Sequence, residues 1–574
     1  MPEKPVINCH THIFTGDSVP PWLAKQFLPW PFYYLLPVTG LVKLCRAWFR
    51  GPHRWRHHSW HKKITRALYR FWIFVSRNYI ATTLHTMIGV VLTYHILFFI
   101  WDWLSVFTSP EGWVSQKVMW LRQWIQRLHL EMPVNSGWLQ LLLILVFLTL
   151  FPSGRNLIFF VLRKSWKLVS SLPGEQTMRL LQRYVNLGRF SFHEKQSTIL
   201  GRLMRQYEAG TQFVILPMDM DHMGAGAAPV PYRQQLEELA KLKRKKELRD
   251  VIHPFVFADP RRMAQEPDYF RYRVENGKVV LEDCLLKTYL EGDGFGGIKI
   301  YPALGYFPFD EKLLPLYKYA ADNGIPVMTH CIKGTIFYRG KKEKAWDQHP
   351  VFKQAMGHQA YEPLLLPQKK NIDFTLNFTH PLNYLCLLHE TLLQELVAKS
   401  ADTLLHQAFG YNAAAGAMQY NLRHLKLCFG HFGGEDQWER FFEHDRENFA
   451  ARLFTHPDRG LEFLTGDDGH PTPGKPELVW KWVDWYTIIC SLMLQYDHVY
   501  ADISYILHDG EAVFPLLKQT LQHKKLRERV LYGTDFYVVR NHKSDKNLHA
   551  TMLTGLSEEE FELIARINPV KYLR

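Results

Sequence analysis

Six side chains in this 574-residue chain have the types and order to hold a metal ion and use it. His10-Thr11-His12 sets two imidazoles two residues apart. In an extended chain, residues i and i+2 face the same way, so both rings can reach one ion. Alone, the pattern is common by chance. Lys299, His330, His431 and Asp535 follow it, each at the end of a short β-rich run: Gly297–Tyr301, Pro326–His330, Leu425–Gly430 and Arg529–Tyr532. Imidazoles and a carboxylate around a divalent ion with one open position lower the pKa of bound water from ~15.7 to about 7 and polarise a carbonyl. A neighbouring carboxylate or imidazole then moves the proton. As a plain ammonium, Lys299 would repel a second ion and hold an anionic substrate group. The alternative is a cation at the rim that touches no metal.

Further candidates carry less specific signals. Asp219 and Asp221 follow the run Phe213–Met218 and either contact substrate or cap the next turn. Tyr301 follows Lys299 on the same side of an extended segment and is a substrate-contact candidate. Arg261 and Arg540 either clamp a carboxylate or are solvated loop charges. His380 and His508 read as loop histidines.

These residues need a frame that gathers strand ends. With Val6–Cys9, Val251–Phe257 and His498–Ile503 added, the β-rich runs number eight. Amphipathic helical patterns fall between them, as at Arg233–Arg249 and Leu313–Asn323, the rhythm of βα units around a parallel sheet. The expected class is α/β, a (β/α)8 TIM-type barrel, whose active sites sit at the C-terminal ends of the strands. Asn276-Gly277, between Arg271–Glu275 and Lys278–Leu281, signals a hairpin in one loop.

A long segment interrupts that rhythm. The whole chain has a net charge of +14, which by itself points to nucleic acid or an anionic membrane. Residues 13–200 hold 22 Lys and Arg against 6 Asp and Glu, a net +16, so the rest of the chain sums to -2. The same segment holds 13 of the 18 tryptophans. It contains two apolar runs, Ile88–Phe107, whose one charge is Asp102, and Trp138–Phe151, which spans a bilayer only if its helix continues to Leu162. The flanks 13–84 and 152–200 carry +10 and +6 and the loop 108–137 only +1. That asymmetry predicts a two-span transmembrane hairpin with the catalytic barrel on the cytoplasmic side. Phe27–His61 reads as a stretch lying in the interface. A monotopic patch or a buried helical hairpin is the competing reading. Nucleic acid drops out as a partner because the basic residues flank runs long enough for lipid. The expected division is 1–14 as first barrel strand, 15–196 as membrane-associated insertion (spans 88–107 and 138–162) and 197–574 as the rest of the barrel. Seven scattered cysteines with no CxxC pair fit a reducing compartment, and the first residues lack the pattern of a secretory signal.

The order HxH, Lys, His, His, Asp over eight βα units resembles the amidohydrolase superfamily of metal-dependent hydrolases. Cys428-Phe429-Gly430-His431-Phe432-Gly433-Gly434, Val499-Tyr500-Ala501-Asp502-Ile503-Ser504 and Tyr532-Gly533-Thr534-Asp535-Phe536 are similar to its amidohydrolase-related branch, which also contains decarboxylases. The resemblance covers residues 5–14 and about 197–574, and the membrane-like insertion lies outside the family pattern. It implies that His10, His12, His330 and Asp535 hold a divalent metal, zinc in the first instance, as one or two ions. It implies that Asp535 takes the proton from water, and that His431 binds a second ion or acts as acid and base. Lys299, in Lys-Ile-Tyr-Pro-Ala, would be carbamylated and bridge two ions. Asn8 departs from the Asp often found two residues before the first metal histidine.

The expected function is a membrane-anchored metal-dependent hydrolase that uses water to cleave an amide, ester or lactone-like bond in a small, lipophilic or anionic substrate. The alternatives are a metal-dependent decarboxylase of a conjugated or aromatic acid, and a non-catalytic membrane scaffold.

Overall fold

The computed structural model describes residues 4–25, 30–35, 37–44, 46–47, 59–105, 112–128, 134, 136–150, 156, 160, 193–334, 336–357, 360–367, 374–443, 448–465, 475–508, 510–538 and 544–574. The chain divides into two compact units, Met1–Arg46 with Leu180–Arg574, and Ala47–Arg179.

In the first unit, eight short strands form one parallel sheet: β1 Ile7–Thr11, β2 Gln212–Ile215, β3 Ile252–Phe257, β4 Gly297–Lys299, β5 Val327–His330, β6 Leu427–Gly430, β7 Val499–Asp502 and β8 Val530–Leu531. They lie side by side in chain order. These runs are almost wholly buried, which explains why they read as apolar blocks rather than as alternating strands. The sheet closes on itself. Cys9 N–H donates to the Tyr532 carbonyl at 2.8 Å, Asp535 N–H to His10 at 2.9 Å, and His12 N–H to Phe536 at 2.5 Å. The Asn276-Gly277 turn joins Tyr272–Glu275 to Lys278–Leu281 as expected, with both turn residues at positive φ.

Strand periodicity sets two layers inside the barrel. Cys9, Val214, Phe255, Met328, Cys428 and Tyr500 pack together as an apolar floor, with Tyr572 against it. Two residues on, Met328 leads to His330 and Tyr500 to Asp502, so these two strands carry a polar residue above that floor. In β1 the pairing with β2 shifts register between Asn8 and Thr11. That irregularity lets His10 and His12 face inward although Ile7 and Cys9 do so below them.

The departure at Asn8 has a physical reason. Its amide Nδ2 donates to Thr534 Oγ1 at 2.8 Å and to the Tyr207 hydroxyl at 2.9 Å, while its Oδ1 accepts from Thr534 N–H at 3.2 Å. Both hydroxyls spend their own protons on Asp545, at 2.7 and 3.0 Å. They therefore need a donor, which an amide supplies and a carboxylate does not. The network fastens β1 to the chain that follows β8.

Residues 15–46, expected in the insertion, fall with the barrel. Val19, Leu23, Val38 and Val42 belong to its hydrophobic core, and Arg46 pairs with Asp17 at 2.5 Å. Within Phe27–His61, Val38 and Val42 are buried while Trp30, Tyr34 and Leu44 stay exposed, and 48–58 lie outside the described residues.

The second unit contains the helices α1 Ser59–Arg77, α2 Tyr79–Leu104, α3 Trp113–Arg127 and α4 Gly137–Leu150. Asn78 separates α1 from α2 and caps α2, accepting from Ala81 N–H at 3.2 Å. Helix α2 packs on α1 and α4. Its acid, Asp102, pairs with Arg122 of α3 at 2.8 Å. Among the described residues one helix, over Tyr79–Asp102, is long and apolar enough to cross a membrane. The expected pair of spans is therefore not supported. Helix α4 has 14 residues, about 21 Å, and most of its expected continuation to Leu162 lies outside the described residues.

Asn8→Asp puts a second carboxylate beside Asp545 and removes the donor that both hydroxyls require. The expected cost is about 1–3 kcal/mol. It is read as a lower denaturant midpoint, and an unchanged midpoint contradicts the role given to this amide.

Candidate metal centre

At the mouth of the barrel His10, His12, Lys299, His330, His431, Asp502 and Asp535 are all buried. Glycines make room for the first of them. A Cβ at Gly430 would stand 3.0 Å from His10 Cε1, and one at Gly533 2.9 Å from His10 Cβ. His431, Asp535 and Tyr505 hold φ of 68°, 57° and 66°, left-handed backbone that side-chain-bearing residues seldom adopt. Such backbone gathers where a site dictates geometry.

Hydrogen-bond partners assign the protons. His10 Nδ1 lies 2.8 Å from Asp502 Oδ2 and donates to it. His12 Nδ1 donates to the Leu216 carbonyl at 2.8 Å. Each ring therefore turns its Nε2 toward the centre of the barrel mouth. His12 Nε2 is 3.2 Å from Asp535 Oδ1, His10 Nε2 is 3.9 Å from the same oxygen, and His10 Nε2 has no hydrogen-bond partner. Two imidazole nitrogens and a carboxylate oxygen thus converge on one point, a donor set that suits a cation. The three residues form one group with metal-ligand spacing, and His10, His431 and Asp502 form another that shares His10. Because the Asp502 carboxylate already takes the His10 Nδ1 proton, the group that converges through Nε2 is His10, His12 and Asp535.

A directed chain runs through the remaining groups. Ser504 Oγ donates to Asp502 Oδ1, so it accepts from His431 Nδ1 at 2.9 Å. His431 Nε2 then accepts from His330 Nδ1 at 3.0 Å, and His330 Nε2 accepts from the Tyr301 hydroxyl at 2.9 Å. Asp502 Oδ1 also receives the backbone N–H groups of Ser504 and His431, at 3.0 and 3.1 Å. Both nitrogens of His330 are therefore engaged by protein. His10, with which it was grouped as a ligand, differs in having no hydrogen-bond partner at Nε2.

Burial dominates the electrostatics. It pushes the His10 and His330 imidazoles below their ordinary range, and pushes His431 to about 3 with the help of His10. Burial alone would raise both carboxyls. Instead His10 beside Asp502, and His12 with His431 beside Asp535, hold them below the usual range. Lys299 is fully buried, 3.5 Å from the Thr329 carbonyl, and burial brings it down to about 8 against the pull of Asp502 and Asp535. A cleft with about 470 Å³ of space reaches His12, Tyr301, His330, His431 and Asp535, and Phe14, Met218, Ile332 and Tyr505 give it an apolar wall.

The weaker candidates separate. Tyr301 lies in the cleft. Asp219 and Asp221 instead pair with Arg262, at 2.8 and 2.7 Å, and Arg261 forms a bidentate pair with Asp259 while donating to the His222 and Leu304 carbonyls at 2.9 Å. Their charges are spent on loop structure. Arg540 lies outside the described residues. His380 is buried and stacked on Trp480 at 3.9 Å. Asp502 and Ser504 stand in the site although their roles were not anticipated, and the available signal was an acid ending a β-rich run, as at the other site positions.

No family model matches the chain, and no curated protein matches it. Among solved structures it resembles a TIM-barrel protein from Bordetella bronchiseptica at 14% identity, covering 65% of this chain and 81% of that one, TM-score 0.31. An amidohydrolase from Mycobacterium avium subsp. paratuberculosis is similar at 12% identity, covering 66% and 74%, TM-score 0.28. A 4-oxalomesaconate hydratase from Rhodopseudomonas palustris is similar at 14% identity, covering 66% and 82%, TM-score 0.30. Likenesses of this size carry no functional weight.

Acidification should destabilise the metal-free protein. An unfolded histidine takes its proton near pH 6.5, whereas native His431 resists until about 3. Between those values the unfolded state binds more protons, so stability falls as pH falls, by up to about 1.4 kcal/mol per group per pH unit. The denaturant midpoint is expected to drop between pH 7 and pH 5, with a shallower slope in His431→Gln. Equal slopes in the two proteins would contradict this electrostatic picture.

Proposed function

We propose that this chain is a metal-dependent hydrolase of the amidohydrolase type, anchored to a membrane by its second unit. The observation that carries the reading is the convergence of the His10 and His12 Nε2 atoms on Asp535 Oδ1 in a buried site. Neutral imidazoles with a carboxylate fit a divalent ion of the zinc class. His10, His12 and Asp535 would hold it, and Lys299 beneath them would join if carbamylated, a reaction that needs the neutral amine which a value near 8 makes accessible. Bound there, the ion supplies Lewis acidity, acidifying water and polarising a carbonyl.

The protein groups supply the rest. Asp502 fixes the His10 ring so that Nε2, not Nδ1, faces the ion, in the manner of carboxylate–histidine–metal triads. Asp535 accepts the proton of the attacking water. His431, neutral and held through Nδ1 by Ser504, receives or returns a proton at Nε2. The Tyr301 hydroxyl, at the cleft end of the chain, would turn its proton from His330 Nε2 to the carbonyl oxygen of an incoming substrate. The apolar wall suits a substrate with a lipophilic body. A decarboxylase built on the same residues is the second reading, and its product distinguishes it. For the anchor, the support is the apolar helix over Tyr79–Asp102 and the +16 charge of residues 13–200, a sign of charge that favours the cytoplasmic face.

Purified protein should contain at least one divalent ion per chain by elemental analysis, and His10→Ala and Asp535→Asn should lose it. Asp502→Asn, which leaves the ligands intact, should weaken metal affinity by about 10–100-fold. Products from an amide, ester and lactone panel should appear without CO2 release. A wild-type protein that neither carries nor rebinds a divalent ion overturns the reading.

A further inference from the structure

We propose that helix α1, Ser59–Arg77, is a binding surface for the headgroups of anionic phospholipids, an inference that rests on the membrane-anchor reading above. The helix has five cations, Lys62, Lys63, Arg66, Arg70 and Arg77, and no acid in 19 residues. At about 100° per residue the five fall within one arc of roughly 100°. All five are exposed. Of the large apolar residues only Ile73 falls inside that arc.

The opposite face carries Trp60, Ile64, Leu68 and Phe71, with Val75 at its end. The first four remain 49–54% exposed, although a helix in a globular protein would bury such a stripe. The following helix, α2, differs in kind: apolar residues surround it on all sides, with Asp102 near its far end. The two therefore divide the work of a membrane-bound segment. One is apolar throughout and suits the hydrocarbon core, and the other is apolar along one stripe and cationic along the opposite one, which suits the plane of the headgroups.

The two faces together choose the occupant. A nucleic acid would satisfy the cations and leave the aromatic stripe in water. A second copy of the helix would cover the stripe while bringing five further cations near without a counter-charge. An anionic bilayer satisfies both, because acyl chains take Trp60, Ile64, Leu68 and Phe71 while headgroup phosphates stand level with the lysines and arginines.

The test is flotation of the full-length protein with vesicles of phosphatidylcholine alone or mixed with phosphatidylglycerol. The anionic vesicles should bind at least about tenfold more tightly, and the preference should shrink at high salt. In the variant K62Q/K63Q/R66Q/R70Q the preference should disappear while binding to neutral vesicles persists. K62R/K63R should keep it, which separates lost charge from lost fold. Equal wild-type binding to both vesicles overturns the headgroup site and leaves the anchor standing. Absence of binding to any vesicle overturns both. A preference unaltered in the quadruple variant, or tighter binding to duplex DNA than to anionic vesicles, also overturns the proposal.

Discussion

A single buried carboxylate, Asp502, orders the protons of three imidazoles in the barrel mouth, His10, His431 and His330. Its Oδ2 takes the His10 Nδ1 proton, and its Oδ1 collects the Ser504 hydroxyl together with two backbone N–H groups. Four donors thus fall into place around one charge. His10 must expose Nε2, Ser504 must accept from His431, and His431 must in turn accept from His330. A neutral residue at position 502 would leave each of those rings free to choose either tautomer. Burial makes the choice strict, since an unsatisfied charge at this depth is costly.

The seam between β1 and β8 has a matching role in the backbone. His10 and Asp535 come from opposite ends of the sequence, yet Asp535 N–H donates directly to the His10 carbonyl. The pair is therefore positioned by the closure of the barrel rather than by a loop. Asn8, Thr534, Tyr207 and Asp545 fasten the same seam from behind with side-chain hydrogen bonds.

Much of this frame was legible in the sequence, because a parallel barrel writes itself as short apolar runs that end in polar residues. The eight runs coincide with the eight strands to within a few residues, and six spaced residues arrive in one cluster. What remained hidden follows a common cause. Asp219, Asp221 and Arg261 also stand after strands, but Arg262 and Asp259 neutralise them, and pairing across loops leaves no local signature. Asp502 and Ser504 act on other side chains rather than on an ion, so spacing alone gave them no role. Residues 15–46 share the aromatic composition of the segment that follows, yet Val38 and Val42 are core residues, and composition does not say which apolar surface a segment meets.

The placement of the second unit has a consequence for how the polypeptide is made. β1 pairs directly with β2, Ile7 opposite Gln212, and its other edge waits for the chain around Tyr532. At about 5–20 residues per second, a ribosome takes roughly 10–40 s to cover the stretch between β1 and its first partner. During that interval the strand bearing His10 and His12 has neither neighbour, while an apolar helix of 26 residues emerges behind it. The cluster of His10, His12 and Asp535 is thus among the last features to assemble, after synthesis has passed through that apolar helix.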